Sequence, residues 1–140
     1  MREILFRGQT RKKGQKVWMD GTPVDGQWVY GGVLQGIGDF SVIYGSKNAN
    51  DLNEDFQKWC VYTDTLCQFT GLTDKNGKKI FEGDIVDILH EGVYQCCWDE
   101  ANFEFGFRNY KESFGIAYAP RNLHVIGNIH DNPELLEGEQ

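Results

Sequence analysis

The stretch from Thr70 to Ile88 reads TGLTDKNGKKIFEGDIVDI and places closely spaced turn signals between short apolar segments. The apolar residues alternate with polar ones on either side of each turn, a spacing that is typical of half-buried strands. Any fold for this chain therefore has to accommodate short strands and tight reversals in this segment.

The first of these reversals centres on Asn76-Gly77, the strongest short signal for a β-hairpin. We expect a tip that joins FTGLT to KKIF, with both residues at positive φ. Glu82-Gly83-Asp84 predicts a second reversal, in which Gly83 supplies the bend and Asp84 accepts hydrogen bonds from backbone amides. We interpret Asn76, Gly77, Gly83 and Asp84 as structural turn residues.

Composition extends this β prediction to the whole chain. Aromatic residues make up 14% of it, with 17 glycines and only 3 prolines, a balance that favours short strands. Short strands from about residue 69 to 130 indicate a meander curled into a small barrel. One of them, FEFGFR, is expected to carry Phe103, Phe105 and Phe107 on one face.

Helical signals are few. The stretch from residue 46 to 59 predicts a loop with a helical turn, followed by the strand KWCVY. Asn132-Pro133 predicts one short turn near the end. We predict a mainly β fold with at most one or two short helical turns: an N-terminal β subdomain (residues 1–64), a barrel (65–130) and an acidic C-terminal tail (131–140).

Charge and hydropathy limit the classes of partner that we expect this protein to bind. The formal net charge is −7, which repels phosphate backbones and argues against indiscriminate DNA coating. MREILFRGQT lacks an apolar region of signal-peptide length, and no run is long enough to span a membrane. The prediction is a cytoplasmic protein with no membrane partner.

The residues that carry chemistry are not arranged as a catalytic or metal site. Cys60, Cys67, Cys96 and Cys97 form no Cys-x-x-Cys pair and no recognised nucleophile motif. Carboxylates such as Asp84 and Asp87 are explained by turns and solubility. We predict no enzyme activity, no catalytic or metal-binding residues and no cofactor.

A basic arm is the strongest candidate binding feature. The segment from Arg7 to Lys16 holds five basic residues and no acid, and two tryptophans that are able to stack on bases lie nearby. The candidate residues are Arg7, Arg11, Lys12, Lys13, Lys16, Trp18 and Trp28. A solvated hairpin tip explains the same lysines and is favoured, because the chain as a whole is acidic.

Self-association is a third interpretation. The aromatic strands FEFGFR and WVY are able to supply an apolar patch that a second copy would cover. Core burial explains the same alternation equally well. A homo-oligomer therefore remains an alternative to a complex with a protein partner or, less favoured, with a nucleic acid.

Four blocks of this sequence together resemble one known family. They are FRGQ near the start, GQWVYGGVL at 26–34, TLCQFTGLTDKNGKKIFEGDIV at 65–86 and VIGNIHDNPELLE at 125–137. In this order they resemble the YopX family of phage and prophage proteins. The segments 9–26 and 45–57 look longer than the family's usual connections, so the resemblance does not define their structure.

The resemblance implies a mostly β fold whose second half is an SH3-like barrel. We predict that the N-terminal subdomain packs on this barrel. It implies little about activity. We therefore expect an accessory protein of a phage or prophage, a non-catalytic binding module for a host or phage protein. The alternative is a nucleic-acid-binding phage protein that uses the basic arm.

Overall fold

The computed structural model describes residues 3–15 and 26–137. Chain contacts divide it into two compact units, Met1–Gln68 and Phe69–Gln140. The predicted boundary after residue 64 and the separate tail from 131 to 140 stay predictions.

The described residues are mainly β, as predicted. The strands are β1 (Phe6–Arg11), β2 (Gln27–Leu34), β3 (Phe40–Ser46), β4 (Gln57–Tyr62), β5 (Cys67–Thr73), β6 (Lys79–Phe81), β7 (Asp84–Ile88), β8 (Gly92–Asp99), β9 (Glu104–Arg108), β10 (Ser113–Gly115) and β11 (Leu123–Asn128). One short helix, α1 (Glu134–Glu137), follows them, and 3-10 turns cover Thr63–Thr65 and Ile116–Tyr118.

The first unit contains antiparallel strands in the order β4-β3-β2-β1, and the start of β5 (Cys67 and Gln68) pairs with the outer side of β1. Its core is formed by Val29, Ile43 and Val61, one from each of three strands, and all three are buried. Because strand side chains alternate, these three share the inner face. Gly8 on β1 allows close packing, since a Cβ there would lie 2.9 Å from a methyl group of Val61.

The loop between β3 and β4 contains turns, as the sequence predicted. Asp51 N–H donates to the carbonyl of Asn48, and Glu54 N–H donates to the carbonyl of Asp51. One of the paired glycines of β2, Gly31, also has a structural reason. A Cβ at Gly31 would lie 2.1 Å from the carbonyl oxygen of Tyr44, so the close backbone approach requires glycine.

The second unit contains an antiparallel sheet in the order β10-β9-β8-β7-β11. Its core packs buried residues from four of these strands and from β6; they are Ile80, Val86, Ile88, Tyr94, Cys96, Phe107, Leu123 and Val125. In the part of the chain that the structure describes, β10 and β11 are not hydrogen-bonded to each other. Closure into an SH3-like barrel therefore stays a prediction.

The hairpin between β5 and β6 forms where the sequence placed it, but with a different turn. Gly77 has φ of 82°, whereas Asn76 is not at positive φ. The N–H of Gly77 donates to the carbonyl of Asp74, and the N–H of Asp74 donates to that of Lys78. The prediction of two positive φ angles was wrong, because a wider turn needs the left-handed conformation only at its glycine.

The second predicted reversal has the expected geometry. Gly83 has φ of 88°, which glycine adopts without steric penalty. The carboxylate of Asp84 accepts a hydrogen bond from the N–H of Phe81 at 2.8 Å. Both turn residues thus act structurally, between β6 and β7.

One strand prediction was wrong at its first residue. β9 begins at Glu104, and Phe103 lies before it, exposed and at φ of 52°. Phe105 and Phe107 are strand residues, and Phe107 is fully buried. The alternation in FEFGFR does not reveal that the preceding turn includes its first phenylalanine.

Asp74 joins the β5–β6 hairpin to β11. Its carboxylate accepts hydrogen bonds from the N–H groups of Val125 at 3.0 Å and of Asn76 and Lys78 at 2.9 Å. Burial opposes ionisation of this carboxyl, but the three backbone donors and nearby His124 together hold its pKa below the usual 3.8. Ionised Asp74 is therefore favoured in the folded state.

We expect Asp74→Asn to lower the free energy of unfolding by about 1–3 kcal/mol at pH 7, because it removes charge-assisted hydrogen bonds. A depressed folded-state pKa contributes stability above the unfolded pKa, and that contribution is lost as pH falls through the folded value. The difference between variant and wild type should thus shrink below about pH 4. Urea unfolding at several pH values measures it.

Asp39→Asn is the matched control, because Asp39 is an exposed carboxylate in the first unit. It should change the free energy of unfolding by less than about 0.5 kcal/mol. An Asp74→Asn effect as small as this, or one that does not vary with pH, would contradict the role assigned to Asp74.

Candidate functional site

The described residues of the predicted basic arm do not form a uniform cationic strip. Arg7 on β1 is buried, and its guanidinium carbon lies 4.3 Å from the ring centroid of Trp28 on β2. This cation–π contact uses one face of the half-buried tryptophan. Both side chains are therefore engaged within the first unit.

Lys12 is also engaged. Its Nζ lies 2.8 Å from Oδ2 of Asp64 and 4.8 Å from the ring centroid of Tyr62. Arg11 and Lys13 are exposed, while the predicted Lys16 and Trp18 lie outside the described residues. Among the described basic residues of the arm, Arg11 and Lys13 are thus the exposed ones.

A different feature stands out in the second unit: a surface cleft of about 970 Å³, formed by the β8–β9 hairpin, by β10 and by Tyr118. This volume lies at the upper end of the usual range for ligand pockets. Smaller depressions of 360 and 390 Å³ occur in the first unit.

The turn of the β8–β9 hairpin is held by Asp99. Its carboxylate accepts hydrogen bonds from the N–H of Ala101 at 2.9 Å and from the side-chain amide of Asn102 at 2.8 Å. The Asn102 hydrogen bond is the main cause of the lowered pKa of Asp99. Asp99 thus shapes one end of the cleft.

A row of small residues forms part of the cleft lining. The strand register places Cys97 opposite Gly106, and Gly106 opposite Gly115. Since paired residues project on the same side of a sheet, this row carries a single side chain across three strands. The opposite face carries Cys96, Phe107 and Phe114, which pack into the core.

Opposite charges flank the glycine row on β9. Glu104 and Arg108 are two positions on either side of Gly106, so both project on its face. The carboxylate of Glu104 lies over Gly115, where a Cβ would come within 1.8 Å of Oε1. Arg108 is exposed and close enough to Cys97 to influence its ionisation.

An exposed aromatic side chain stands beside the cleft. Tyr118 lines it and is 80% exposed. Large amphipathic rings beside a cleft are the side chains that most often anchor a protein partner. Trp98, by contrast, pairs with Phe105 and projects on the face opposite Gly106, where the two rings pack edge to face with centroids 5.0 Å apart.

The thiol in the cleft is poorly suited to nucleophilic chemistry. Burial raises the pKa of Cys97 above its ordinary value of 9.0, and the lowering effect of Arg108 is smaller. A reactive cysteine needs the opposite shift. Among the described residues, no group of three or more His, Cys, Asp or Glu side chains is placed to hold a metal ion.

We expect the rate of Cys97 alkylation by iodoacetamide to rise with an inflection above pH 9, because the thiolate reacts. The measurement uses the Cys60→Ser variant, since Cys60 is an exposed free thiol. Peptide mass spectrometry distinguishes Cys97 from buried Cys67 and Cys96. An inflection near neutral pH would contradict the environment described for Cys97.

The sequence analysis missed this cleft. Trp98, Glu104, Arg108 and Tyr118 were not among the candidate residues, because they become neighbours only through the register of β8, β9 and β10. One signal was available: Gly106 interrupts an otherwise aromatic strand, and a glycine inside a strand often marks a close approach.

The structure thus defines a mainly β protein of two antiparallel units, with an open, glycine-floored cleft in the second. No helix in the described ranges is long and apolar enough to cross a membrane. The family model "YopX protein" matches residues 24–137. The chain belongs to the YopX family.

The crystal structure of protein EF1440 from Enterococcus faecalis is similar to this chain. The two share 22% sequence identity, and the match covers 97% of this chain and 99% of that one, with a TM-score of 0.48. No curated protein matches.

Proposed function

We propose that the protein is a non-catalytic binding module whose cleft receives a segment of a protein partner. The observation that carries this proposal is the cleft of about 970 Å³ with the exposed Tyr118 in its lining. An exposed aromatic ring next to a concave surface is characteristic of a binding site. The single thiol in the cleft has a raised pKa, which supports binding rather than catalysis.

Membership of the YopX family supports a proposal about where this module acts. We propose that it acts in the cytoplasm as an accessory protein of a phage or prophage, on a host or phage protein. We further propose that its second unit is an SH3-like barrel. The antiparallel order of five strands supports this assignment.

Photo-crosslinking tests the proposal. A benzophenone amino acid at position 118 should capture a partner that the same group at position 44 does not, because Tyr44 is an exposed tyrosine of the first unit. Binding of the purified partner is then measured by calorimetry. Tyr118→Ala should weaken it about 5- to 30-fold, the range for an anchoring aromatic side chain.

Tyr44→Ala is the matched control and should leave this affinity unchanged. Capture of the same protein from both positions, or equal affinity for wild type and Tyr118→Ala, would refute the cleft as the binding site. Circular dichroism of each variant verifies that the fold is retained.

Nucleic-acid binding is the less favoured function. Arg7 is buried against Trp28, and Lys12 is paired with Asp64. The chain also carries a net charge of −7. These two contacts and the net negative charge leave little positively charged surface for contacts with phosphate groups.

We expect no gel shift of DNA or RNA by the wild type at low salt. The Arg11→Ala, Lys12→Ala, Lys13→Ala triple variant is the comparison. A shift by the wild type that the triple variant loses, and that weakens steeply with added salt, would restore the basic arm as an interface.

A further inference from the structure

The charged residues of the cleft indicate which chemical groups its ligand carries. Glu104 and Arg108 are four residues apart on β9, so their Cα atoms are separated by about 13 Å at a rise of about 3.3 Å per residue. Within the described ranges, neither side chain forms a hydrogen bond or salt bridge with another residue.

The lining between these two charges carries few side chains. Gly106 and Gly115 contribute no side chains to it, and Cys97 contributes one small group. An extended peptide rises by the same distance per residue as a strand. A peptide that runs along β9 therefore brings residues i and i+4 next to the two charged positions.

The charges in the cleft favour a basic group at the Glu104 end. Asp99 and Glu100 also line that end, and Arg108 is the basic residue that lines the cleft. The carboxylate of Asp99 is occupied by the hairpin turn. Glu104, which lies over Gly115, is therefore the carboxylate in position to meet a cation on the floor.

We propose that the cleft binds an extended peptide segment with a Lys or Arg side chain at Glu104 and an acidic side chain, four residues away, at Arg108. This inference rests on the proposed function of the cleft and adds the chemistry of its ligand. Tyr118 contributes affinity for either kind of peptide, and the two charges determine which peptide is preferred.

Four synthetic peptides test the charge pattern by NMR titration of the full chain. They are GKTVTEG, GQTVTEG, GKTVTQG and GQTVTQG, which differ only at positions i and i+4. For the wild type, each loss of charge should weaken binding about two- to fivefold, as expected for a partly exposed ion pair. Amide shifts at Gly106 and Gly115 should locate the peptide in the cleft.

A double-mutant cycle separates a specific ion pair from a general charge effect. Glu104→Gln should abolish the preference for Lys over Gln in the peptide, and Arg108→Gln should abolish the preference for Glu over Gln. Glu91→Gln and Arg121→Gln are matched controls at exposed positions outside the cleft, and both should retain the preferences.

Equal affinity for all four peptides, with shifts at Gly106 and Gly115, would overturn the charge inference and leave the cleft as a binding site. Absence of these shifts at millimolar peptide would overturn the inference as well. The proposed function is decided separately by the crosslinked partner, whose affinity depends on Tyr118.

Discussion

The cross-strand register of β8, β9 and β10 is the constraint on which the cleft depends. On one face it aligns Cys97, Gly106 and Gly115, and on the other it buries Cys96 and Phe107. A slip of one residue would exchange the two faces and expose the phenylalanine. Burial of the core therefore fixes the position of the glycine row, so the functional surface is a consequence of how the opposite face packs.

The reversals of the second unit were the most predictable part of the fold. Gly77 and Gly83 require positive φ, and that requirement is written in the local sequence as Asn-Gly and Glu-Gly-Asp. The turn type at Asn76 was not predictable in the same way, because two hairpin turns share this dipeptide. Hydrogen bonds from Asn76 and Lys78 to the Asp74 side chain favour the wider turn.

The candidate site was much less predictable, because its residues come together through pairing between strands. From the sequence alone, Glu104 and Arg108 are expected to be solvent-facing charged residues of an aromatic strand. Their relation to Gly115 depends on the register of a three-residue strand, β10, which no local pattern specifies. The basic arm shows the converse. It is a conspicuous run of positive charges in the sequence, but in the fold Arg7 packs on Trp28 and Lys12 pairs with Asp64.

Hydrogen exchange of the full chain, with and without its crosslinked partner, tests the central claim most directly. If the cleft is the binding site, the partner should slow exchange in the backbone between residues 97 and 118 and leave residues 26–62 unchanged. Slowed exchange confined to the first unit, with the β8–β10 region unaffected, would contradict the account.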